Sequence, residues 1–135
     1  MTNIYVYKTI KFNCETINKI LIKGHTGYKN KGEDIVCASL SFIVESFSFY
    51  IIKYFMIDIE KRDKEKVLIE LDFNRLYKNL EEKDKNNKTK NNTNSNKSEL
   101  INFFVNYLLE SLKLLEKNYR DFIKIEEKLE IDIEN

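Results

Sequence analysis

His25 and Cys37 are the one pair of side chains in this sequence suited to act together as base and nucleophile near neutral pH. All three glycines, the single histidine and one of the two cysteines fall in the stretch Gly24-His25-Thr26-Gly27-Tyr28-Lys29-Asn30-Lys31-Gly32-Glu33-Asp34-Ile35-Val36-Cys37. The chain has no proline, so its unusual backbone freedom is concentrated here. An imidazole within hydrogen-bond reach of the thiol would take its proton and later return one to a leaving amine, which is hydrolytic chemistry by a covalent route.

Such a pair works only if rigid elements hold it. Residues Ile4 to Phe12 alternate and are rich in β-formers, which predicts a strand. Asn13-Cys14-Glu15-Thr16 then reads as a turn and Ile17 to Lys23 as a second strand, the two forming a hairpin. Gly24 ends that strand, His25 sits at its exit, and Thr26 to Glu33 is a loop suited to closing over a substrate. Asp34 is a good N-cap for a helix of twenty or so residues. That helix is apolar nearly all round, from Val36 and Leu40 through Phe42, Phe47 and Phe49 to Ile52 and Phe55. One sheet face covers only one side of it, so the rest needs a second helix or a partner chain.

Ile57 to Ile59 and Val67 to Leu71 flank the charged turn Lys61 to Glu65 as another hairpin, and Asn74 to Glu82 suits a short helix. From Lys83 to Lys97 the composition collapses to Lys, Asn, Thr and Ser with one Asp, a low-complexity insertion within a single domain spanning residues 1–135. Asn96 with Glu99 resembles a capping box, and Ile101, Phe104, Val105, Leu108, Leu109, Leu112 and Leu115 keep a helical stripe. Asp121 to Ile125 alternates as a last strand before an acidic tail. The fold class is therefore α+β, a small, mostly antiparallel sheet with two principal helices packed on it.

With Asp34 as cap, Cys37 stands at the third helical position, beside the first-turn amides and the positive end of the helix dipole. That setting favours thiolate over thiol. The plainer reading makes Cys37 a small buried hydrophobe and His25 a loop residue. Asp34 either orients His25 or simply caps the helix. Ser41, one turn beyond Cys37 on the same face, either supports the site or bonds to the preceding turn. One His and two Cys fall short of a zinc ligand set, and Cys14 lies in a different turn, so no metal or other cofactor is expected.

Composition narrows the partners. Hydrophobic residues at 42% and charged residues at 33% supply a core and a solvated surface, which excludes global disorder. A net charge of +1 gives no field to draw the chain onto nucleic acid, and the lysines of the insertion lack interleaved aromatics, so no direct nucleic-acid partner is expected. Ile35 to Met56 raises the question of a membrane span, but Glu45 and Lys53 interrupt it and the apolar run falls short of the roughly 20 residues a span needs. The N-terminus lacks the blocks of a signal peptide, which points to a cytoplasmic protein with free thiols. The sequons at Asn87, Asn91 and Asn96 then carry no information.

Gly24-His25, Gly32, the block Asp34-Ile35-Val36-Cys37-Ala38 and Ser41 resemble the signature of the ribosomal-processing cysteine protease family (Prp). The order of elements matches over nearly the whole chain, through the closing Tyr119-Arg120-Asp121-Phe122-Ile123-Lys124-Ile125. The chain departs from the family pattern at Thr26, commonly alanine, and in the Asn/Lys insertion. The resemblance implies a homodimeric cysteine endopeptidase with His25 and Cys37 as its catalytic pair and Gly24, Gly32, Asp34 and Ser41 around them. It further implies a substrate, the short N-terminal extension of the large-subunit ribosomal protein numbered twenty-seven. A non-catalytic, ribosome-associated binding module of the same fold is the alternative.

Overall fold

The computed structural model describes residues 1–11, 13–24, 33–63, 65, 68–79 and 92–131, with the backbone alone at 11, 33, 34, 92–97 and 131. In chain order the elements are β1 (Thr2–Lys11), β2 (Cys14–Lys23), α1 (Glu33–Phe55), β3 (Glu60–Asp63), β4 (Leu68–Asp72), α2 (residues 74–79), α3 (Asn92–Asn118) and β5 (Ile123–Ile131).

The first hairpin is tighter than the sequence suggests. Asn13 takes φ 61, a left-handed conformation that asparagine tolerates better than most residues, and Lys11 pairs directly with Cys14. Cys14, Glu15 and Thr16 therefore belong to β2 rather than to a turn, because a short turn leaves them opposite β1 with ladder bonds to make. A bulge at Asn18 shifts the register between Tyr7 and Lys8. The Asn18 side-chain amide donates to the Thr9 hydroxyl, and the Asn18 backbone carbonyl accepts from the Phe73 backbone amide at 2.9 Å.

The five strands lie in the order β3-β4-β2-β1-β5. The sheet is mixed: β1–β2, β2–β4 and β3–β4 are antiparallel, but β5 runs parallel to β1. The expectation of a mostly antiparallel sheet missed that pair, because strand direction follows from the crossover that α3 makes before β5 and not from local pattern. The β3–β4 hairpin forms where expected, yet β3 uses the charged residues Glu60–Asp63 while Ile59 is sunk in the core. A short charged strand at the sheet edge discourages pairing with another chain.

Register sets the core. Ile125, Ile4, Ile22 and Ile69 stand in one cross-strand row, and Val6, Ile20 and Leu71 in the next. Onto this face α1 lays Val36, Leu40, Val44, Phe47 and Ile51, and α3 lays Ile101, Val105, Leu108, Leu109, Leu112 and Leu115. Phe47 joins the two helices to the hairpin end of the sheet, edge-on to Phe73 at 5.9 Å and to Phe104 at 4.9 Å between ring centroids. The stripe on α3 follows expectation, but the helix starts at Asn92, so Asn96 lies inside it and is not a cap. The Asn and Ser of that segment are indifferent helix formers carried by the packed stripe that follows. Residues 83–91 of the insertion lie outside the described residues.

One ionic cluster sits at the rim of the core. The Lys8 ammonium lies 2.8 Å from Glu15 and 3.3 Å from Glu127, and Lys113 on α3 approaches Glu127 at 3.0 Å. Burial by itself would lower the Lys8 pKa, but the two carboxylates together outweigh it and hold the ammonium above its ordinary range. Lys113 first, then Lys8, holds the Glu127 carboxyl below its ordinary value of 4.5 against a smaller opposing effect of burial. A depressed carboxylate stabilises the fold above its unfolded pKa and loses that contribution as pH falls through the folded value. Glu127→Gln should therefore narrow the gap in urea midpoint between pH 7 and pH 3; a gap as wide as wild type means the cluster adds nothing. Phe73→Ala, which empties a fully buried aromatic site, should cost about 3–5 kcal/mol in the same measurement.

Candidate active site

Two rigid ends frame the glycine-rich stretch. β2 is an interior strand, and its last residue Lys23 is paired on both sides, with Asn3 of β1 and Leu68 of β4. Gly24 follows, half-buried, so the chain leaves the sheet from a fixed point. The other end is the start of α1, anchored by Val36 and Leu40 in the core. Residues 25–32 between them, including His25 and Gly32, lie outside the described residues.

Helix α1 begins at Glu33, so Asp34 is already helical and does not occupy the cap position. Glutamate is a good helix former and carries the ladder one residue further back. The Asp34 side chain lies outside the described residues, but a carboxylate in the first turn suits the positive end of the helix dipole all the same. Cys37 thus stands fifth in the helix. Helical side chains lean toward the N-terminus and cover the turn before their own Cα, which keeps this thiol over the first turn.

Cys37 is half-buried at the edge of the core, with Val36 buried before it and Ala38 exposed after it. A sulfur so placed is held by packing on one side and open on the other, as a nucleophile requires. Ser41 is exposed one turn further along the same face. Cys14 is exposed at the opposite end of β2 from Gly24, roughly 30 Å along the strand. Among the described residues no group of three His, Cys, Asp or Glu side chains comes together as a metal site.

A feature that sequence reading missed lies on the outer face of α1. Ile35, Phe42, Phe49 and Met56 recur every seven residues, and all are exposed, Phe42 at 72% and Met56 at 88%. Seven residues are close to two helical turns, so they form one row. The neighbouring face of α3 exposes Leu100, Phe103, Tyr107 and Leu114. Between the helices runs a groove of about 230 Å³ lined by Phe42, Ile43, Tyr50, Phe104 and Tyr107. The spacing was visible, but a helix apolar all round conceals which of its rows is outermost.

Ile35–Phe55 is long and apolar enough to cross a membrane. Its inner row, however, belongs to the core shared with the sheet, where Val36, Val44 and Ile51 have no exposed surface. Glu45 on its flank reaches Arg62 of β3 at 3.4 Å.

Comparison with known proteins bears first on the fold. No curated protein is matched by sequence. Among solved structures, SMU.848 from Streptococcus mutans superposes with a TM-score of 0.69 at 14% identity, covering 96% of both chains. The essential ribosomal processing protease Prp from S. aureus, in complex with a substrate peptide, superposes with a TM-score of 0.58 at 19% identity over 93% of this chain and 99% of that one. The same protease with a covalently linked product peptide gives 0.56 at 18% identity over the same shares. Sequence and fold then point the same way: the family model for the cysteine protease Prp matches residues 1–124, and the chain belongs to that family of cysteine proteases.

Proposed function

We propose that this protein is an endopeptidase that removes a short N-terminal extension from a large-subunit ribosomal protein, with Cys37 as nucleophile and His25 as general base. The observation that carries this reading is Cys37 itself, a half-buried thiol at the start of a core-anchored helix in a chain of the cysteine protease family. Its ribosomal substrate is drawn from the fold's likeness to a ribosomal processing protease crystallised with a peptide.

The chemistry balances with this chain's own groups. The His25 imidazole takes the thiol proton as Sγ attacks the scissile carbonyl, and the imidazolium returns that proton to the departing amine. The thioester left on Cys37 is then hydrolysed by a water that His25 deprotonates, which restores the thiol. In this reading the oxyanion is received by amides of the first turn of α1, which make no bonds within the helix. Gly24 and Gly32 let the backbone approach the peptide closely, and Asp34 and Ser41 support the pair from the helix. No metal takes part.

The enzyme works as a two-fold homodimer in the cytoplasm. The rows on α1 and α3 offer an apolar surface far larger than singly scattered side chains, and isologous pairing is the commonest way to cover such a face. A standard interface buries about 800 Å² per partner, within reach of eight large exposed side chains.

Limiting iodoacetamide at neutral pH should label Cys37 before Cys14, although Cys14 is the more exposed thiol. Equal labelling of the two would contradict an activated nucleophile at Cys37. With the ribosomal precursor from the same cell as substrate and products weighed by mass spectrometry, Cys37→Ala should release nothing. His25→Ala should lower turnover by about 100-fold or more. Light scattering should return twice the 16.2 kDa of one chain, and Phe42→Glu with Tyr107→Glu should return a single chain that unfolds at the wild-type urea midpoint.

A further inference from the structure

The sheet face opposite α1 and α3 carries two tyrosines in line on the interior strand β1. Tyr5 and Tyr7 both face outward and are half-buried, about 7 Å apart along the strand, and no described helix covers them. Four lysines surround them, two from each neighbouring strand. Lys19 on β2 holds its ammonium 4.7 Å from the Tyr7 ring centre, and Lys23 lies 5.6 Å from that of Tyr5. Lys128 on β5 reaches both rings, at 4.9 Å from Tyr5 and 5.6 Å from Tyr7. Lys124 pairs across from Asn3, one step up the same face.

Acidic residues on this face stand mostly at its margins. Glu70 and Asp72 lie beyond β2 on β4, Glu130 lies past Lys128 toward the end of β5, and Glu126 stands between Lys124 and Lys128. The near-neutral charge of the chain hides this local excess of positive charge over β2, β1 and β5. We infer that this face binds single-stranded RNA, with the two rings stacking under successive bases and the lysines meeting the phosphates.

Stacked aromatics inside a basic surface are how sheets hold single strands without reading their sequence. A base settling on a ring displaces the ammonium, which then becomes available to phosphate. The ion pairs of Lys19 with Glu70 at 3.7 Å and of Lys124 with Glu126 at 3.4 Å are exposed and therefore weak, so exchanging them costs little. The choice of RNA as the natural strand rests on the ribosomal substrate proposed above; the stacking surface itself does not.

The test is fluorescence anisotropy of a labelled twelve-nucleotide oligouridylate against the full chain at 50 and 200 mM salt. Contact with two to four phosphates gives a log–log salt slope of about −1.4 to −2.8. Tyr5→Leu with Tyr7→Leu should weaken binding by at least about fivefold per ring, while Tyr5→Phe with Tyr7→Phe keeps it. Lys23→Glu with Lys128→Glu should weaken it and flatten the slope. Cleavage of the ribosomal extension peptide, followed in parallel, should be unchanged in the tyrosine variants, so loss of RNA binding is read separately from loss of peptidase function. No saturable binding by the wild type, equal affinity in the leucine pair, or displacement of the RNA by an oligoglutamate peptide at equal concentration overturns the inference, the last by assigning the face to an acidic protein segment.

Discussion

The register of β1 against β2 is the constraint on which the rest depends. Because side chains alternate along a strand, the pairing of Ile4 with Ile22 and Val6 with Ile20 sends four aliphatic side chains to the helices. The same pairing sends Tyr5, Tyr7, Lys19 and Lys23 to the opposite face. A slip of one residue would put lysines under α1 and isoleucines into water. The bulge at Asn18 is part of this device, since the extra residue lets Ile17 face inward beyond it, opposite Lys8. With the register fixed, β2 ends at Lys23, and the point where Gly24 leaves the sheet is set by the core rather than by the loop.

The two sheet edges are protected in different ways, and one of them draws the helices into the solution. At one edge β3 is short and charged. At the other, β5 is nine residues long and turns Glu127 inward, where Lys8 and Lys113 hold it. An inward charge is incompatible with simple edge-to-edge addition of another strand, and here it also clamps β5 to α3. The helix that closes the crossover and the strand it delivers are therefore tied by the same carboxylate.

Much of this was legible. The hairpin of β1 and β2, the two long helices, the α3 stripe and the short helix near Asn74 follow from alternation and helical period, signals that tertiary packing reinforces. Boundaries were less legible: Glu33, a good helix former, extends α1 past the residue that looked like its cap, and Asn92 enters α3 on the strength of what packs further along, not by its own preference. The parallel placement of β5 was illegible for a different reason: its residues alternate identically whichever way the strand runs. At the site, Cys37, Ser41 and Gly24 fall where a strand exit and a helix start were expected, whereas His25 and Gly32 lie outside the described residues. The outer row of α1 escaped notice because Val36 and Ile35 look alike in sequence and differ only in which way the helix is turned.

Helix α1 links the proposed chemistry to the proposed assembly. Its inner row is committed to the core, its outer row is spaced for a partner, and Cys37 stands fifth from its start. A helix fixed on one side only can rock about its core contacts; one gripped on both sides cannot, and a sulfur near its end is then held to a tighter position. The helix also stops abruptly, with Met56 in the left-handed region at φ 56 and its amide bonded to the Ile52 carbonyl at 2.9 Å. A bulky residue accepts that conformation at a cost of about 1 kcal/mol or more, offset because it brings the chain round to bury Ile59 while leaving the Met56 side chain on the outer row. The outer sheet face, the outer helix face and the start of α1 bearing Cys37 are thus three separate surfaces, all set by the register of β1 against β2.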